Sequence, residues 1–369
     1  MGFIQKRDFQ NFENYMTVHF FTGKDIDSAT ARYRGFLVVD ELKKREVDVR
    51  LHEPLPLRSF FEISGVRFNE LKETIRILFS VRRDDIIYLV RTVFRLDFVI
   101  LVLFFRWVLG RKFVFDFDDT IYLKKFARIR SRLLTRSANW VVVGSRHLEA
   151  WAKKRNTRVT MVPTSVPFDI YSSFSRYSRS ENNIFTIGWI GNGPNHVKNL
   201  RLIVEPLSQL VKKEIKFRFI LIGALKHKPL YDLFEPITGL NIEIIDTLEW
   251  SDPNSGPKAI QGFDIGLMPL VEDEKTLGKC AFKAIEYMAC AVPPIISPVG
   301  ENNFLVREGQ NGFFADNDSE WVEKIMRFYN DKNLRDVLGM RAQETIKNEY
   351  SYEASIPKLQ VIFQQLQKK

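Results

Sequence analysis

The stretch that decides the fold reads FDIGLMPLVEDEKTLGKCAFKAIEYMACAVPPIISPVG and runs from Phe263 to Gly300. Its first apolar run, Phe263–Met268, ends at a proline and predicts a strand buried on both faces. A charged loop follows, and Gly278 then opens a segment with the spacing of an amphipathic helix. The next apolar run, Val292–Ser297, completes a strand–helix–strand unit. This pattern is typical of parallel strands joined by a crossover helix.

The same alternation continues in both directions along the chain. Helical spacing fills most of the intervals between short apolar runs, as in Ser28–Arg45 and Lys198–Lys212. The other predicted strands are Thr17–Phe21, Val47–Leu51, Ile86–Val90, Phe113–Phe117, Trp140–Val143, Val159–Val162, Ile184–Ile190, Phe217–Ile222, Asn241–Ile245 and Gly312–Ala315. This order predicts an α/β fold with parallel sheets.

A serine-rich stretch separates the two series of strands, since five serines lie within Ser172–Ser180. We therefore predict two Rossmann-like domains facing each other across a cleft. Their predicted bounds are 1–166 on the acceptor side and 184–345 for the nucleotide-sugar domain. The linker spans 167–183, and a helical tail over 346–369 crosses back to the first domain. Ligands of open α/β sheets bind outside the carboxyl ends of the strands, which here line the cleft.

The net charge of +10 is unevenly distributed. Residues 1–170 carry 31 basic and 20 acidic side chains (31 − 20 = +11), whereas residues 171–369 carry 24 and 25 (24 − 25 = −1). A one-sided basic surface favours an anionic partner. Two cysteines and five histidines argue against a disulfide scaffold and a histidine-rich metal site. No aromatic–basic pattern of a nucleic-acid module is present, so we expect no nucleic-acid partner.

Two segments of the second half suit a phosphorylated ligand. In GWIGNGPNHVKNL, Gly191 and Asn192 form a turn after a strand, and Lys198 lies one helical turn further on. Lys279, Lys283 and Glu286 are spaced four and three apart, so they share a helix face. Lysines there suit a diphosphate, and the carboxylate suits a ribose diol. The alternatives are a plain tight turn and a solvated helix face.

The motifs of this half resemble those of family 4 (group 1) retaining glycosyltransferases, which have the GT-B fold. The matching segments are Glu286–Ser297, Pro298–Asn302, Asn311–Ala315, Asp264–Leu270, Val142–Ser145 and Val162–Val166. The resemblance implies a nucleotide-sugar donor, retention of configuration, and no metal or other cofactor. It implies that Glu286 binds the nucleotide ribose.

The chain departs from the family's motif at Gly278, which takes the place of the usual first glutamate. Lys279, or the loop residues Glu272 and Glu274, are the candidate substitutes. Lys198 matches the family's diphosphate lysine, but an apolar residue takes the place of its arginine. Lys279 or Lys283 then supplies the missing charge.

A carboxylate cluster ends the predicted strand Phe113–Phe117. It contains Asp116, Asp118 and Asp119, in the loop where many family members carry a histidine. We predict that these aspartates position the acceptor or stabilise the transition state. Binding of a divalent cation and capping of a helix remain alternatives.

Two basic segments of the first half suggest further contacts. Arg32 and Arg34 enter the first helix, where they suit an acceptor or a phosphate. A basic amphipathic segment favours an anionic membrane surface, with a solvated helix face as the alternative. Its predicted membrane-facing residues are Lys124, Lys125, Arg128, Arg130 and Arg132.

These observations predict a glycosyltransferase that uses a lipid-linked or surface-glycan acceptor. No apolar leader precedes the first strand, and the most apolar run, Phe98–Phe105, is far shorter than the roughly 20 residues of a spanning helix. We therefore expect a cytoplasmic protein on the inner face of the membrane. A sugar-nucleotide epimerase of the same fold and a non-catalytic scaffold remain the alternatives.

Overall fold

A computed structural model describes residues 16–52, 65–91, 96–178 and 184–368. In these ranges the chain forms two parallel sheets of six strands each, which confirms the predicted fold class. The strands are β1 (Val18–Thr22), β2 (Val49–His52), β3 (Ile86–Val90), β4 (Lys112–Phe117), β5 (Trp140–Val143), β6 (Val159–Met161), β7 (Phe185–Ile190), β8 (Phe217–Ile222), β9 (Ile242–Ile245), β10 (Ile265–Met268), β11 (Pro294–Ile296) and β12 (Phe313–Phe314).

The first sheet has the order β2-β1-β3-β4-β5-β6. Its central strands β1, β3 and β4 are almost wholly buried because helices cover both faces, which explains their continuous apolar sequences. The helices that follow its strands are α1 (Ala29–Ala31), α2 (Leu37–Lys44), α3 (Gly65–Ser80), α4 (Leu96–Trp107), α5 (Arg128–Ser137), α6 (Arg146–Lys153) and α7 (Phe168–Ser173).

The second sheet has the order β12-β11-β10-β7-β8-β9. The direction of strand addition reverses between β7 and β10, so this pair forms the switch point at which ligands of such sheets bind. The helices of this half are α8 (Val197–Leu200), α9 (Val204–Lys212), α10 (Lys228–Phe234), α11 (Ser255–Ile260), α12 (Glu274–Leu277), α13 (Phe282–Ala289), α14 (Asn302–Leu305), α15 (Asp318–Asn330), α16 (Lys332–Thr345) and α17 (Tyr352–Gln367).

Helix α17 crosses back to the first sheet. Its residues Ile356, Leu359 and Phe363 are buried in the same core as strands β1, β3 and β4. The Phe363 ring meets the Tyr88 ring edge-on at 5.9 Å. The last turn is fixed by Lys112, whose Nζ donates to the Leu366 carbonyl at 2.7 Å. The tail therefore belongs to the core of the first sheet.

The serine-rich segment is packed in its described part, rather than exposed as we expected. It contains α7, whose Tyr171 is fully buried, and Arg176, which pairs with Asp264 and Asp336 of the second half. Residues 179–183 lie outside the described residues. The segment is packed rather than exposed because its Tyr171 and Arg176 side chains are buried.

The first predicted helix is irregular. A π-helical turn, Arg32–Phe36, separates α1 from α2. Among the residues that the structure describes, no helix is both long and apolar enough to span a bilayer.

Candidate functional site

The turn after β7 lies at the switch point and is packed unusually closely. A Cβ on Gly223 would lie 1.9 Å from the Gly191 carbonyl oxygen, and one on Gly193 would lie 2.4 Å from the Leu230 side chain. A Cβ on Gly191 would lie 2.4 Å from Cε of Lys283. The glycines therefore let the ends of β7 and β8 approach each other and leave room for the stem of Lys283.

Helix α13 brings Lys283 and Glu286 to this turn. Burial, together with the nearby Lys279 ammonium, lowers the pKa of Lys283 to about 7. Its Nζ lies 3.0 Å from Nε2 of His196 and 5.5 Å from the centre of the Trp189 ring. The structure thus brings Gly191 and Lys283 together, as the sequence predicted for a common site.

His196 is a residue of this site that the sequence did not single out. It lies just before α8, is almost wholly buried, and packs edge-on against the Trp189 ring. Burial holds its pKa well below the usual range, so the ring is neutral. In the sequence, its position three residues before Asn199 was the one feature that linked it to this site, and that spacing is common at helix starts.

Glu286 is buried and held by two tyrosine hydroxyls. Tyr171 donates to Oε1 at 2.8 Å, and the Tyr33 hydroxyl lies 2.6 Å from the Tyr171 oxygen and 3.2 Å from the same Oε1. Burial raises the pKa of Glu286, while these hydrogen bonds and the nearby Arg32 oppose the rise. Because Tyr33 belongs to the first domain, Glu286, the residue predicted to bind the ribose, lies where the two domains meet.

The other predicted donor residues surround this point. Lys198 is exposed, and its Nζ lies 3.3 Å from Oδ2 of Asp273, the residue that caps α12. Asn192 precedes the 3₁₀ turn of the glycine-rich segment and accepts from the Asn195 amide at 2.9 Å. Lys279 lies between α12 and α13, near enough to Asp119 to lower the pKa of that carboxyl.

Gly278 touches the first domain directly. Its carbonyl accepts from the Ser145 hydroxyl at 3.1 Å. A Cβ at this position would lie 2.2 Å from the Thr120 methyl group. The absence of the family's glutamate therefore has a steric reason in this arrangement, because the domains close onto a bare backbone.

The three aspartates at the end of β4 contact different residues. Asp116 is buried, where it pairs with Arg34 Nε at 2.7 Å and accepts from the Tyr88 hydroxyl at 2.5 Å. Asp118 accepts from Thr30 at 3.0 Å. In the described part of the chain, no three His, Cys, Asp or Glu side chains are arranged to hold a metal ion.

Asp119 faces the second domain. It pairs with Arg91 at 3.0 Å. Burial disfavours its ionisation, but Arg91, Lys279 and Lys275 outweigh burial and hold its pKa below the usual range. Of the predicted catalytic aspartates, Asp119 is the one surrounded by cations from both domains.

The two predicted arginines differ in what they contact. Arg32 stacks on the Trp250 ring of the second half, with 4.6 Å between the guanidinium carbon and the ring centre. Arg34 donates to Asp116, to the Val162 carbonyl and to Thr164. Arg34 is therefore tied into the first domain, and a role in ligand binding stays a prediction for both arginines.

A pocket lies at the switch point of the first sheet, between β1 and β3. Its lining includes Gly23, Lys24, Thr30 and Arg91. Arg91 bridges its two sides, since it donates to Thr30 at 3.1 Å and to Asp119 at 3.0 Å. Arg91 is a single charged residue after β3, and no pattern in the sequence identified it as part of a site.

The basic segment forms an exposed surface with α4. Helix α5 carries Arg128 and Arg132 to solvent, beside Ile129 and Leu133, which are also exposed. Phe126 is 80% exposed, and Trp107 on the neighbouring α4 is 65% exposed. Lys124 and Lys125 precede α5 and are exposed, whereas Arg130 is half-buried. We use the name basic apolar surface for the exposed residues Trp107, Lys124, Lys125, Phe126, Arg128, Ile129, Arg132 and Leu133.

The second domain matches a known family. Residues 184–331 match the family model described as glycosyl transferases group 1. An uncharacterized glycosyltransferase of Methanocaldococcus jannaschii is 33% identical over 85 residues, which are 22% of this chain and 24% of the relative.

The fold of the whole chain is shared with solved structures. Anabaena HepE in complex with UDP and glucose superposes with a TM-score of 0.67 at 16% identity, over 95% of this chain and 100% of that one. Sucrose-phosphate synthase of Thermosynechococcus elongatus does so with a TM-score of 0.69 at 12% identity, over 95% and 99%. The chain therefore has the GT-B fold of these structures, and its residues 184–331 are similar to glycosyl transferases group 1.

Proposed function

We propose that this protein is a retaining glycosyltransferase that transfers a sugar from a nucleotide-diphosphate sugar to an acceptor hydroxyl. The observation that carries the proposal is the placement of Lys283 and Glu286 on one helix, at the switch point of the second sheet. HepE, which shares the fold, was also solved with UDP-glucose.

The residues of the site suit departure of a diphosphate. Negative charge develops on the leaving group during transfer, and preorganised cations stabilise it. Lys283 supplies that charge from the first turn of α13, Lys279 from the loop before it, and Lys198 from an exposed position. Glu286 accepts hydrogen bonds from the ribose diol.

The acceptor side suits an anionic molecule. Lys24, Arg91 and Lys275 interact electrostatically with Lys124, and Arg91, Lys275 and Lys279 interact with Asp119. Five cations near one carboxylate leave a net positive site. We infer a phosphorylated acceptor, such as the lipid-linked precursor of a surface polysaccharide or a glycolipid.

The basic apolar surface suits an anionic membrane. Exposed aromatic side chains enter the interface, while arginines and lysines attract acidic headgroups. The surface lies on the first domain, which also carries the proposed acceptor site. We therefore propose a peripheral protein of the inner membrane face, where such acceptors are found.

The test begins with the donor. Thermal unfolding is measured with UDP, GDP, ADP and their sugar conjugates, because a ligand of the native state raises the melting temperature. The preferred conjugate is then incubated with and without membrane extract. Transfer of the sugar supports the proposal, isomerisation without an acceptor supports an epimerase, and binding of no nucleotide contradicts both enzymatic functions.

A further inference from the structure

A series of hydrogen-bonding groups lies behind Lys283. The Val271 backbone N–H donates to Oδ1 of Asn199 at 2.9 Å. Nδ2 of Asn199 lies 3.0 Å from Nδ1 of His196, and Nε2 of the same ring lies 3.0 Å from Nζ of Lys283. Asn199 and His196 are buried, so their polar atoms depend on these partners.

The series has a direction because it begins at a backbone N–H. A backbone N–H only donates, so the carbonyl oxygen of Asn199 faces Val271 and its amide nitrogen faces His196. That nitrogen donates to Nδ1. A neutral imidazole has one N–H, so the proton of His196 is on Nε2 and points toward Lys283.

This direction decides which form of Lys283 fits. An ammonium has three donors and no lone pair, so it would meet the Nε2–H of His196 donor to donor. A neutral amine has a lone pair and accepts from Nε2–H. Reversing the series to suit an ammonium would turn the amide nitrogen of the buried Asn199 toward the Val271 N–H and leave both donors without an acceptor.

Other groups around Lys283 act in both directions. Those that face it are His196, Lys279, Cys280, Glu286, Asp119 and the Trp189 ring. Glu286, Asp119 and the ring favour the ammonium, whereas burial and Lys279 disfavour it. Burial raises the pKa of the Cys280 thiol to about 12, which keeps it uncharged. The pKa of Lys283 near 7 agrees with the hydrogen-bond direction.

We propose that Asn199 and His196 hold Lys283 as a neutral amine before a nucleotide binds, and that a nucleoside diphosphate converts it to an ammonium with uptake of one proton from solvent. The proton adds to the lone pair of Nζ, which then turns from Nε2–H to a phosphate oxygen. The released Nε2–H of His196 faces the same anion. His196 and Asn199 are positioning residues, and this inference rests on the proposed donor site.

The first test needs no ligand. The full chain is acetylated with limiting acetic anhydride from pH 6 to pH 11, and labelling of Lys283 and of the exposed Lys347 is measured by peptide mass spectrometry. We expect Lys283 to reach half-labelling near pH 7, several pH units below Lys347. Equal midpoints for the two lysines would overturn the inference.

Asn199→Asp tests the direction of the series. A carboxylate accepts from both Val271 and Nδ1, so the ring proton moves to Nδ1 and Nε2 accepts from an ammonium. We expect the Lys283 midpoint to rise by about one pH unit or more. Asn199→Asp is also introduced into His196→Phe, where it adds the same charge to a protein without the imidazole ring. An equal rise of the Lys283 midpoint in the original and the His196→Phe backgrounds would overturn the role of His196.

The second test uses the nucleoside diphosphate that gives the largest thermal shift. Binding is measured by calorimetry at pH 8 in buffers of different ionisation enthalpy, where the terminal phosphate, with a pKa of about 6, is ionised. We expect uptake of close to one proton, and none for Lys283→Arg, since arginine is always charged. Binding without proton uptake overturns this inference and leaves the proposed function intact. If no diphosphate binds, the proposed function fails, while the labelling result still decides whether Lys283 is neutral.

Discussion

Glu286 is oriented before any ligand reaches it, because Tyr171 and Tyr33 hold one of its oxygens. Tyr171 donates to Oε1, and the Tyr33 hydroxyl lies 2.6 Å from the Tyr171 oxygen. Fixing a carboxylate in this way reduces the entropy lost when a ribose diol binds. It also makes the residue sensitive to domain closure, since Tyr33 belongs to the first domain and Tyr171 packs with the second.

Glu286→Gln separates ribose binding from this support. Glutamine still accepts from Tyr171 through one oxygen but replaces the other with a donor. We expect nucleotide affinity to fall about tenfold or more, because hydrogen bonds to charged groups contribute about 1.5–3 kcal/mol. Calorimetry with the preferred nucleotide measures this, with Tyr171→Phe as the control for the tyrosine contacts. Unchanged affinity in Glu286→Gln would contradict the ribose role.

The roles of Arg34 and Asp116 show where residue-level prediction ends. Arg34 was predicted to contact an acceptor or a phosphate and Asp116 to position the acceptor or stabilise the transition state, and both roles stay predictions. Their pairing depends on β4 lying beneath the turn that carries Arg34, which is a tertiary contact 82 positions apart. The same limit applies to His196, whose partners Lys283 and Val271 are distant in sequence.

Arg34→Met leaves Asp116 buried and uncompensated. Breaking a buried pair on one side costs about 3–5 kcal/mol, and we expect that loss in the free energy of unfolding. Urea denaturation measures it. Adding Asp116→Asn removes the stranded charge and is expected to restore part of the stability. A loss below about 1 kcal/mol in the single variant would contradict the structural role of the pair.

At the scale of elements, the sequence predicts all twelve strands within one or two residues of their observed ends. Continuous apolar runs between turn residues are enough, because both faces of each sheet are covered. The helices were less predictable. The π turn Arg32–Phe36 and the short helix α7 are set by packing between domains, which leaves no periodic signal.

The basic apolar surface is an element-scale prediction. Neutralising Lys125, Arg128 and Arg132 to glutamine should release the protein from anionic vesicles, because each cation contributes about 1 kcal/mol near such a surface. Co-sedimentation with vesicles of phosphatidylglycerol measures the bound fraction. Lys212, Lys213 and Lys216 in the second domain, changed likewise, form the matched control. An equal loss in both triple variants would show that only net charge matters.

At the scale of the molecule, the two domains meet at Gly278, which has no side chain. The built Cβ of Gly278 would lie 2.2 Å from the Thr120 methyl group, and its next neighbour, Leu148, is 3.4 Å away. One methyl group therefore determines whether position 278 accepts a side chain in the closed arrangement.

Gly278→Ala should open the domains, and Thr120→Ser should reverse the effect by removing the methyl group. Small-angle scattering is expected to show a larger radius of gyration for Gly278→Ala and a value near the original for the double variant. Gly256→Ala, where the nearest atoms are 3.9 Å away, serves as the control. If Gly278→Ala leaves the scattering unchanged, the closed contact is not a feature of the protein in solution.

Helix α17 has a consequence for how the protein is made. The first sheet ends at Met161, but the helix that covers one of its faces begins at Tyr352. At about 5–20 residues per second, a ribosome needs on the order of 10–40 s to synthesise the chain between them. During that interval Val18, Phe20 and Val114 lack their final cover. Of the two domains, the one made earlier is thus completed later, and nascent chains of this protein should depend on chaperones until α17 has been made.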